Sequence, residues 1–293
     1  DKNFKNYQKN FLNDFRFGNP KTSDLIRAVN EETSSDYSWF FDQWVLSAGH
    51  PQVQIETQWN NGEYSVFVNQ IQTGRQTPYI YEIPTEITFH YQNRVEKKSI
   101  YIDERKNIYK FSLKEEPKFI RLDPNYDLLI DIDQEFSLDA LLIQLKRDNV
   151  IGRMEAAKDL AEYARNPKVM KRLKRNAIYD KSWFVRQACL ESLSNILTFK
   201  EWQVAFQGEK HSQPRKTIIN LVSNDYPEDT SEFIRRNLDN DNSYIVQAEM
   251  IKQLGIIGEI SDINIIEKYI EKWSPRKIVN KAANQAISLL RKE

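Results

Sequence analysis

The stretch Trp39-Phe40-Phe41-Asp42-Gln43-Trp44, followed closely by Gly49-His50-Pro51, decides how this chain is organised. The spacing of its aromatic residues predicts a short helix that is apolar on more than one side. Such a helix cannot keep all of its large side chains in water, so we expect it to lie between larger bodies. Directly after it, polar and apolar residues begin to alternate, which is typical of β-strands. The stretch therefore predicts a junction between a helical segment and a β-domain.

Residues 1–50 carry apolar side chains at helical spacing and predict three short helices. The second is expected to start at Thr22 or Ser23 and the third at Ser35 or Asp36, because these residue types cap helix amino termini. A glycine follows the third helix and is expected to end it. Three helices of this length have too little apolar surface to bury one another. We therefore expect residues 1–50 to be the helical tail of a larger domain.

From residue 51 to residue 134 the period changes from helical to two, which predicts strands. Val53 and Ile55 alternate with polar residues, and Asn60-Asn61-Gly62 supplies the positive φ angles of a tight hairpin. The alternation recurs around Phe89, and further short runs follow. Short strands separated by turns are typical of a sandwich. We predict an antiparallel β-sandwich over residues 51–134.

Residues 135–293 return to helical periodicity and contain a repeat. An Asp, Asn or Ser stands eight residues before an Ala in four segments, and Val185, Ile245 and Val279 precede three of these alanines by three positions. The four pairs are Asp148 and Ala156, Asp180 and Ala188, Asn240 and Ala248, and Ser274 and Ala282. A capping residue followed by a small residue is expected where stacked helices approach closely.

The four pairs are separated by 32, 60 and 34 residues, and 60 is close to two periods. A degenerate unit is therefore expected around Arg215 to Leu238. Periods of this length are typical of stacked helix pairs, and the segment from Asp180 to Ala188 resembles a HEAT-like repeat. The sequence thus predicts a multidomain α and β chain. Its parts are a short helical segment, an antiparallel β-sandwich and a HEAT-like helical repeat domain (an α-α superhelix).

Together these parts resemble the carboxyl-terminal half of zinc aminopeptidases of the aminopeptidase N and leukotriene hydrolase type, the gluzincin peptidases. In that family a helix with Phe-Phe-x-Gln-Trp, then Gly-x-Pro, leads from the catalytic domain to a β-sandwich and a helical repeat domain. The matching residues are expected to be structural; they are Phe40, Phe41, Gln43, Trp44, Gly49 and Pro51. The resemblance implies that the catalytic part is missing from this chain.

Zinc chemistry in that family needs His-Glu-x-x-His on a helix and a further carboxylate. This chain has three histidines, His50, His90 and His211, and no two have the spacing of ligands on one helix. We interpret each as an ordinary surface or linker histidine. The sequence therefore predicts no catalytic, cofactor-binding or metal-binding residue in this chain. The resemblance implies zinc in the missing catalytic domain.

Charge and composition bear on other classes of function. Lys and Arg together number 42, as do Asp and Glu, so no global basic field favours nucleic acid. No apolar run reaches the roughly 20 residues that span a bilayer. The single cysteine, Cys189, excludes an intrachain disulfide, and its apolar neighbours predict a buried thiol. The compartment stays open between the cytoplasm and an exported location.

The resemblance implies two hypotheses about function. In the first, the chain is the non-catalytic carboxyl-terminal region of a zinc metallo-aminopeptidase-like protein, which removes amino-terminal residues from peptides. The helical domain would restrict access to the active-site cleft, and the partners would be the catalytic domain of the same polypeptide and peptide substrates. In the second, the chain is a scaffold or protein-binding module of the same family without peptidase activity.

One predicted helix carries a basic run whose members are Lys168, Lys171, Arg172, Lys174 and Arg175. We interpret this run as a solvated outer face. The functional alternative is docking of an acidic partner or a peptide carboxylate, since Arg and Lys form charge-assisted bonds to carboxylates. In the family that the chain resembles, basic residues of the helical domain can face the active-site cavity, and Arg186 and the pair Arg276-Lys277 are positional candidates for this.

Overall fold

The computed structural model describes residues 2–292, which fall into two compact units, Asp1–Phe136 and Ser137–Glu293. The predicted fold class is confirmed: a multidomain α and β chain with a helical carboxyl-terminal part. The first unit holds both the predicted helical tail and the predicted sandwich. The division into domains at residues 50 and 134 stays a prediction.

The first unit begins with three helices that leave much apolar surface exposed. They are α1 (Lys2–Asp14), α2 (Thr22–Thr33) and α3 (Ser38–Trp44). Neither α1 nor α2 contains a buried residue. The side chains of Leu12 and Phe17 are 69% and 97% exposed, and Phe4 is also exposed. As expected from their length, these helices do not bury one another.

Two sheets follow in the first unit. The strands are β1 (Gln52–Asn60), β2 (Glu63–Gln70), β3 (Ile83–His90), β4 (Val95–Ile102), β5 (Lys106–Ser112), β6 (Phe119–Leu122) and β7 (Asp131–Gln134). One sheet has the order β5-β2-β1-β7 and the other the order β4-β3-β6. The pairs are antiparallel apart from β1 with β7, which is parallel.

The register of β1 and β2 follows from their turn. Asn61 and Gly62 connect the strands with φ of 45° and 97°, the positive angles of a two-residue hairpin. Val53 then pairs with Gln70, and Ile55 with Val68. The alternate residues of both sheets form one apolar core, because side chains on successive strand positions point to opposite faces. The buried members of that core include Val53, Ile55, Val66, Val68, Ile83, Ile87, Phe89 and Ile102.

The second unit is helical. Its helices are α4 (Leu138–Arg147), α5 (Val150–Asp159), α6 (Pro167–Tyr179), α7 (Trp183–Ser192), α8 (Phe199–Gly208), α9 (Ser212–Asp225), α10 (Pro227–Asn237), α11 (Tyr244–Ile257), α12 (Ile263–Ile266) and α13 (Ile278–Leu290). Side chains that accept bonds from the first turn begin several of them, as expected of caps. Ser137 caps α4, Asn149 caps α5 and Thr198 caps α8.

These helices form two rows. In the first row α5, α7, α9, α11 and α13 each contact the next member of the row. In the second row α4, α6, α8, α10 and α12 each pack against the first-row helix that follows them. Small residues lie where the first-row helices approach: Ala156, Ala188 and Ala282 are buried. A helix pair, α9 and α10, occupies the stretch where a degenerate unit was expected.

The repeat register differs from the sequence prediction in one unit. Ala248 in α11 is only partly buried, whereas Val246 is fully buried and lies five residues after Asp241. Val185 and Val279 likewise lie five residues after Asp180 and Ser274. The third anchor is therefore Asp241, one residue later than the predicted Asn240. Asn240 and Asp241 are adjacent and can both cap a helix, so the sequence alone did not decide which of them begins the unit.

Candidate functional site

The three histidines lie in separate surroundings. His50 Nε2 lies 2.8 Å from Asp131 Oδ2. His90 is buried and stacks on Phe119 with ring centroids 4.2 Å apart. His211 caps α9 and stacks on Trp183 at 4.4 Å. The surface interpretation of His90 was wrong, because Phe119 lies opposite it in the β3–β6 pair and the two rings stack.

These residues do not fit a zinc site of the His-Glu-x-x-His kind, because each histidine is engaged by a different group. Among residues 2–292 no three His, Cys, Asp or Glu side chains group closely enough to hold a metal ion. Cys189 is fully buried, and burial raises the pKa of its thiol. A thiol with a raised pKa is a poor nucleophile and a poor metal ligand at neutral pH.

The helix α3 is attached to the sandwich through Gln43. The side chain of this residue donates a hydrogen bond from Nε2 to the carbonyl oxygen of Glu82 at 2.7 Å. Its Oε1 accepts a hydrogen bond from the Glu82 N–H at 2.9 Å. Trp44 packs against Tyr81 with ring centroids 5.4 Å apart. Phe41 is buried, whereas Phe40 is 40% exposed. Of the α3 residues that match the family motif, Phe41 and Gln43 are therefore buried, whereas Phe40 is exposed.

The turn after α3 is closely packed. Gly49 has a φ of 81°, and a Cβ atom there would lie 2.5 Å from Thr77 Oγ1. Pro51 is buried, and its carbonyl oxygen accepts a hydrogen bond from the Asp131 N–H at 3.0 Å. Glycine is required because the backbone is left-handed and space is lacking. These contacts set where β1 begins.

Replacing Gln43 with methionine is expected to destabilise the first unit by about 1–3 kcal/mol, because the Glu82 N–H and carbonyl lose their partner inside a packed region. Methionine keeps the length of the side chain and removes only its amide. The matched control is Gln8→Met on α1, where the side chain is exposed. Urea unfolding, monitored by tryptophan fluorescence, measures the stability of both variants. Equal midpoints for the two variants would contradict the role given to Gln43.

In the second unit, three arginines link consecutive first-row helices. We call this series the arginine ladder: Arg153 with Asp180, Arg186 with Glu209, and Arg215 with Asp241. Arg153 donates to both carboxylate oxygens of Asp180 at 2.9 Å. Arg186 does the same with Glu209 at 2.6 and 2.8 Å. Two parallel bonds of this kind fix geometry as well as charge.

Each ladder arginine also binds its own helix pair. Arg186 Nη1 donates to the carbonyl oxygen of Asp180 at 2.8 Å, so one guanidinium joins two neighbouring loops. The acids are used twice as well, because Glu209 accepts a bond from the His211 N–H at 2.7 Å. In α11 the position is taken by Gln247, whose Nε2 donates to the carbonyl oxygen of Asp241 at 2.6 Å. The ladder therefore couples successive helix pairs.

The electrostatics of the ladder follow from burial and pairing. The side chain of Glu209 is 5% exposed. Burial by itself would raise the pKa of Glu209, but bonds from Arg186 and from the N–H groups of His211 and Lys210 hold that pKa below its ordinary value of 4.5. A carboxylate held ionised in this way stabilises the fold above its ordinary pKa. The stabilisation is lost as pH falls through the lower value of the folded chain.

A cavity of about 530 Å³ opens beside the first rung of the ladder. We call it the basic pocket. It is lined by residues of α4, α5, α6 and the loop before α7, namely Lys146, Arg153, Arg172, Arg175, Asn176, Tyr179, Asp180 and Lys181. Asp180 is its one carboxylate, and Arg153, Asn176 and the Ser182 N–H already bind it.

The structure separates the basic run of α6 into different surroundings. Arg172 and Arg175 line the basic pocket. Lys168 Nζ lies 2.9 Å from Asp139 Oδ1, and Lys174 Nζ lies 2.5 Å from Glu201 Oε1. Lys171 is exposed. The predicted solvated outer face therefore describes only some residues of the run, because Arg172 and Arg175 line a cavity.

The other basic candidates, Arg186 and the pair Arg276-Lys277, also lie in different surroundings. Arg186 belongs to the ladder, whereas Arg276 and Lys277 are exposed before α13 with φ of 53° and 54°. Sequence reasoning missed Lys146 and Lys181 as pocket residues. The sequence carries no pattern linking them to Arg172, since the cavity is formed by residues of α4, α5, α6 and the following loop that are far apart in the chain.

Comparison with known proteins gives a structural match. No family model matches the sequence, and neither does any curated protein. Among solved structures, aminopeptidase A of Legionella pneumophila, in complex with aspartic acid, is similar with a TM-score of 0.69 and 15% identity. The similarity covers 93% of this chain and 39% of that one. The chain has an aminopeptidase-like fold. At this identity the likeness concerns the fold alone.

Within residues 2–292, every helix is too short or too polar to cross a bilayer.

Proposed function

We propose that this chain is the non-catalytic carboxyl-terminal region of a zinc aminopeptidase-like protein. The observation that carries the proposal is the fold match to an aminopeptidase, which extends over 93% of this chain and about two fifths of the matched protein. The motif Phe-Phe-x-Gln-Trp on α3 supports it from the sequence side. In this proposal zinc and the catalytic residues belong to a preceding part of the same polypeptide, which removes amino-terminal residues from peptides.

The exposed apolar surface of α1 to α3 supports a partner in that preceding part. Phe4, Leu12, Phe17, Val45 and Leu46 are all more than half exposed. Apolar residues concentrated at one end of a chain are typical of an interface. The first two helices, α1 and α2, also lack buried residues of their own, so a catalytic domain packed on them would supply the missing core.

The second unit is proposed to cover the active-site cleft and restrict substrates to short peptides. A stack of helix pairs tied together by the arginine ladder is suited to that role, because a cover must keep its shape while substrates enter. The sandwich would fix the position of the cover. The scaffold hypothesis is the second candidate, and the basic pocket is the observation that favours it, since a binding module needs a recognition site.

The first test uses this chain alone. It is expected to retain no zinc after dialysis and to release no nitroaniline from aminoacyl-nitroanilides, with zinc measured by atomic absorption. Stoichiometric, tightly held zinc together with hydrolysis would overturn the assignment.

The second test uses the coding sequence upstream of Asp1. A His-Glu-x-x-His followed by a glutamate is expected there, and degenerate positions would favour the scaffold. A comparison of the longer protein with a version that ends at Phe136 then tests whether the second unit restricts substrate length. Removing the second unit is expected to raise the rate on ten-residue peptides relative to dipeptide substrates. An unchanged ratio would contradict a cover that selects by length.

A further inference from the structure

We infer that the basic pocket is a binding site for a small molecule carrying two or more adjacent phosphate groups. The inference concerns the second unit alone and does not depend on the proposed peptidase role. It starts from the charge of the cavity lining, which contains five basic side chains and one carboxylate.

The charge in the pocket is not neutralised by the protein. The carboxylate of Asp180 is taken by Arg153, which donates to both of its oxygens. Of the other cations, the charged groups of Lys146, Arg172, Arg175 and Lys181 have no ion-pair or hydrogen-bond partner among residues 2–292. Four cations around one cavity repel one another unless an anion lies between them. A solvated surface spreads such charges apart; here they converge from α4, α6 and the loop before α7.

The rim of the pocket is held in place before any ligand arrives. Asn176 donates from Nδ2 to the carbonyl oxygen of Leu145 at 3.1 Å and to Asp180 Oδ2 at 3.3 Å. Arg153 also donates to the carbonyl oxygen of Asp148 at 2.7 Å. These bonds tie the end of α4, the start of α5 and the end of α6 together. A preformed cavity lowers the cost of ordering on binding.

The residue types favour phosphate over a single carboxylate. Arginine presents a planar fork that matches two phosphate oxygens, and Arg172 and Arg175 lie on the same helix of the lining. One peptide carboxylate would balance one of four unpaired charges. A cavity of about 530 Å³ also lies in the range that small-molecule ligands occupy. Two or more linked phosphates satisfy both the charge and the volume. Nucleic acid fits less well, because the chain as a whole has equal numbers of basic and acidic residues.

Isothermal titration calorimetry of the whole chain with sodium tripolyphosphate tests the inference, at low ionic strength because the cavity is open to screening ions. Tripolyphosphate is expected to bind about tenfold tighter than orthophosphate or citrate, since adjacent phosphates engage more cations. Equal binding of citrate would overturn the preference for phosphate. Binding of an acetylated tripeptide with a free carboxylate, without binding of tripolyphosphate, would reassign the pocket to carboxylates.

A charge-matched pair of variants locates the site. Arg172→Gln with Arg175→Gln is expected to weaken tripolyphosphate binding by about 100-fold, because each arginine contributes a charged hydrogen bond worth about tenfold. Lys168→Gln with Lys171→Gln removes the same charge from the same helix outside the lining and is expected to change binding less than about twofold. Equal weakening by both pairs would show general surface attraction and overturn the inference.

A measurement on the unaltered chain covers the case in which a variant does not fold. Tripolyphosphate is expected to protect Lys146 and Lys181 from acetylation by acetic anhydride, read by peptide mass spectrometry. Lys171 lies outside the pocket lining and is expected to stay reactive. Protection of all three lysines alike, or of none, would contradict a ligand seated in the basic pocket.

Discussion

Replacing Arg186 with methionine is expected to destabilise the second unit by about 3–5 kcal/mol, because it leaves a buried carboxylate without its partner. The side chains of Arg186 and Glu209 are 15% and 5% exposed. Methionine fills much of the same volume, so the lost energy is chiefly that of the unpaired charge. Far-UV circular dichroism during urea unfolding measures the loss, since the second unit holds most of the helix.

The matched control is Arg236→Met. Arg236 pairs with Glu232 on the surface of α10, where the two side chains are 74% and 59% exposed. An exposed pair contributes at most about 1 kcal/mol, so this variant is expected to stay close to the starting protein. If both variants lost the same stability, burial would not decide the strength of these pairs and the ladder would have no special role.

The pH dependence of the Arg186→Met variant gives a second readout. In the unaltered chain the pKa of Glu209 lies below 4.5, so its contribution is present above that pH and falls as acid protonates the folded form. Without Arg186, burial is expected to raise the pKa above its ordinary value. The variant then gains stability as pH falls through that raised pKa towards 4.5, and the unaltered chain loses its contribution below 4.5. The difference between the two proteins therefore narrows over both ranges as pH falls. A difference independent of pH would contradict the electrostatic explanation.

The sequence predicted the parts of the fold that depend on local pattern. Alternation around Val53 and Ile55 identified strands, and Asn61-Gly62 identified the hairpin, because period and turn chemistry are properties of neighbours in the chain. Asp180 could be singled out in the sequence because it lies eight residues before Ala188, a spacing between near neighbours in the chain. The burial of His90 was not visible, since it depends on a strand about 30 residues away that brings Phe119 across it.

The ladder and the basic pocket lay beyond sequence reasoning for a physical reason. Glu209 occupies an anchor position, but it is a glutamate where Asp180 and Asp241 are aspartates, and its unit is 29 residues long rather than 32. A search for Asp or Asn at a fixed spacing therefore does not detect it. The pocket joins Lys146 to Arg175 through packing of separate helices, so no linear motif marks it.

Replacing Gly255 with leucine is expected to be the other strongly destabilising change, by about 3 kcal/mol, because a side chain there overpacks a close helix contact. Gly255 lies in α11 where it meets α13, and a Cβ atom would lie 2.5 Å from both Cα and Cβ of Ala286. The matched control is Gly208→Leu at the end of α8, where an added Cβ meets nothing within 4 Å. That exposed change is expected to alter stability by no more than about 0.5 kcal/mol.

A double-mutant cycle separates backbone crowding from side-chain crowding at this contact. Gly255→Ala is expected to cost about 1–3 kcal/mol, and Ala286→Gly in the facing helix removes one of the two crowded atoms. The Cα of residue 286 remains, so the combined variant is expected to recover only part of the loss. Full recovery would show that the side chain of Ala286 alone sets the distance between α11 and α13. Partial recovery would mean that the two backbones themselves are in contact, which is what requires glycine at this position.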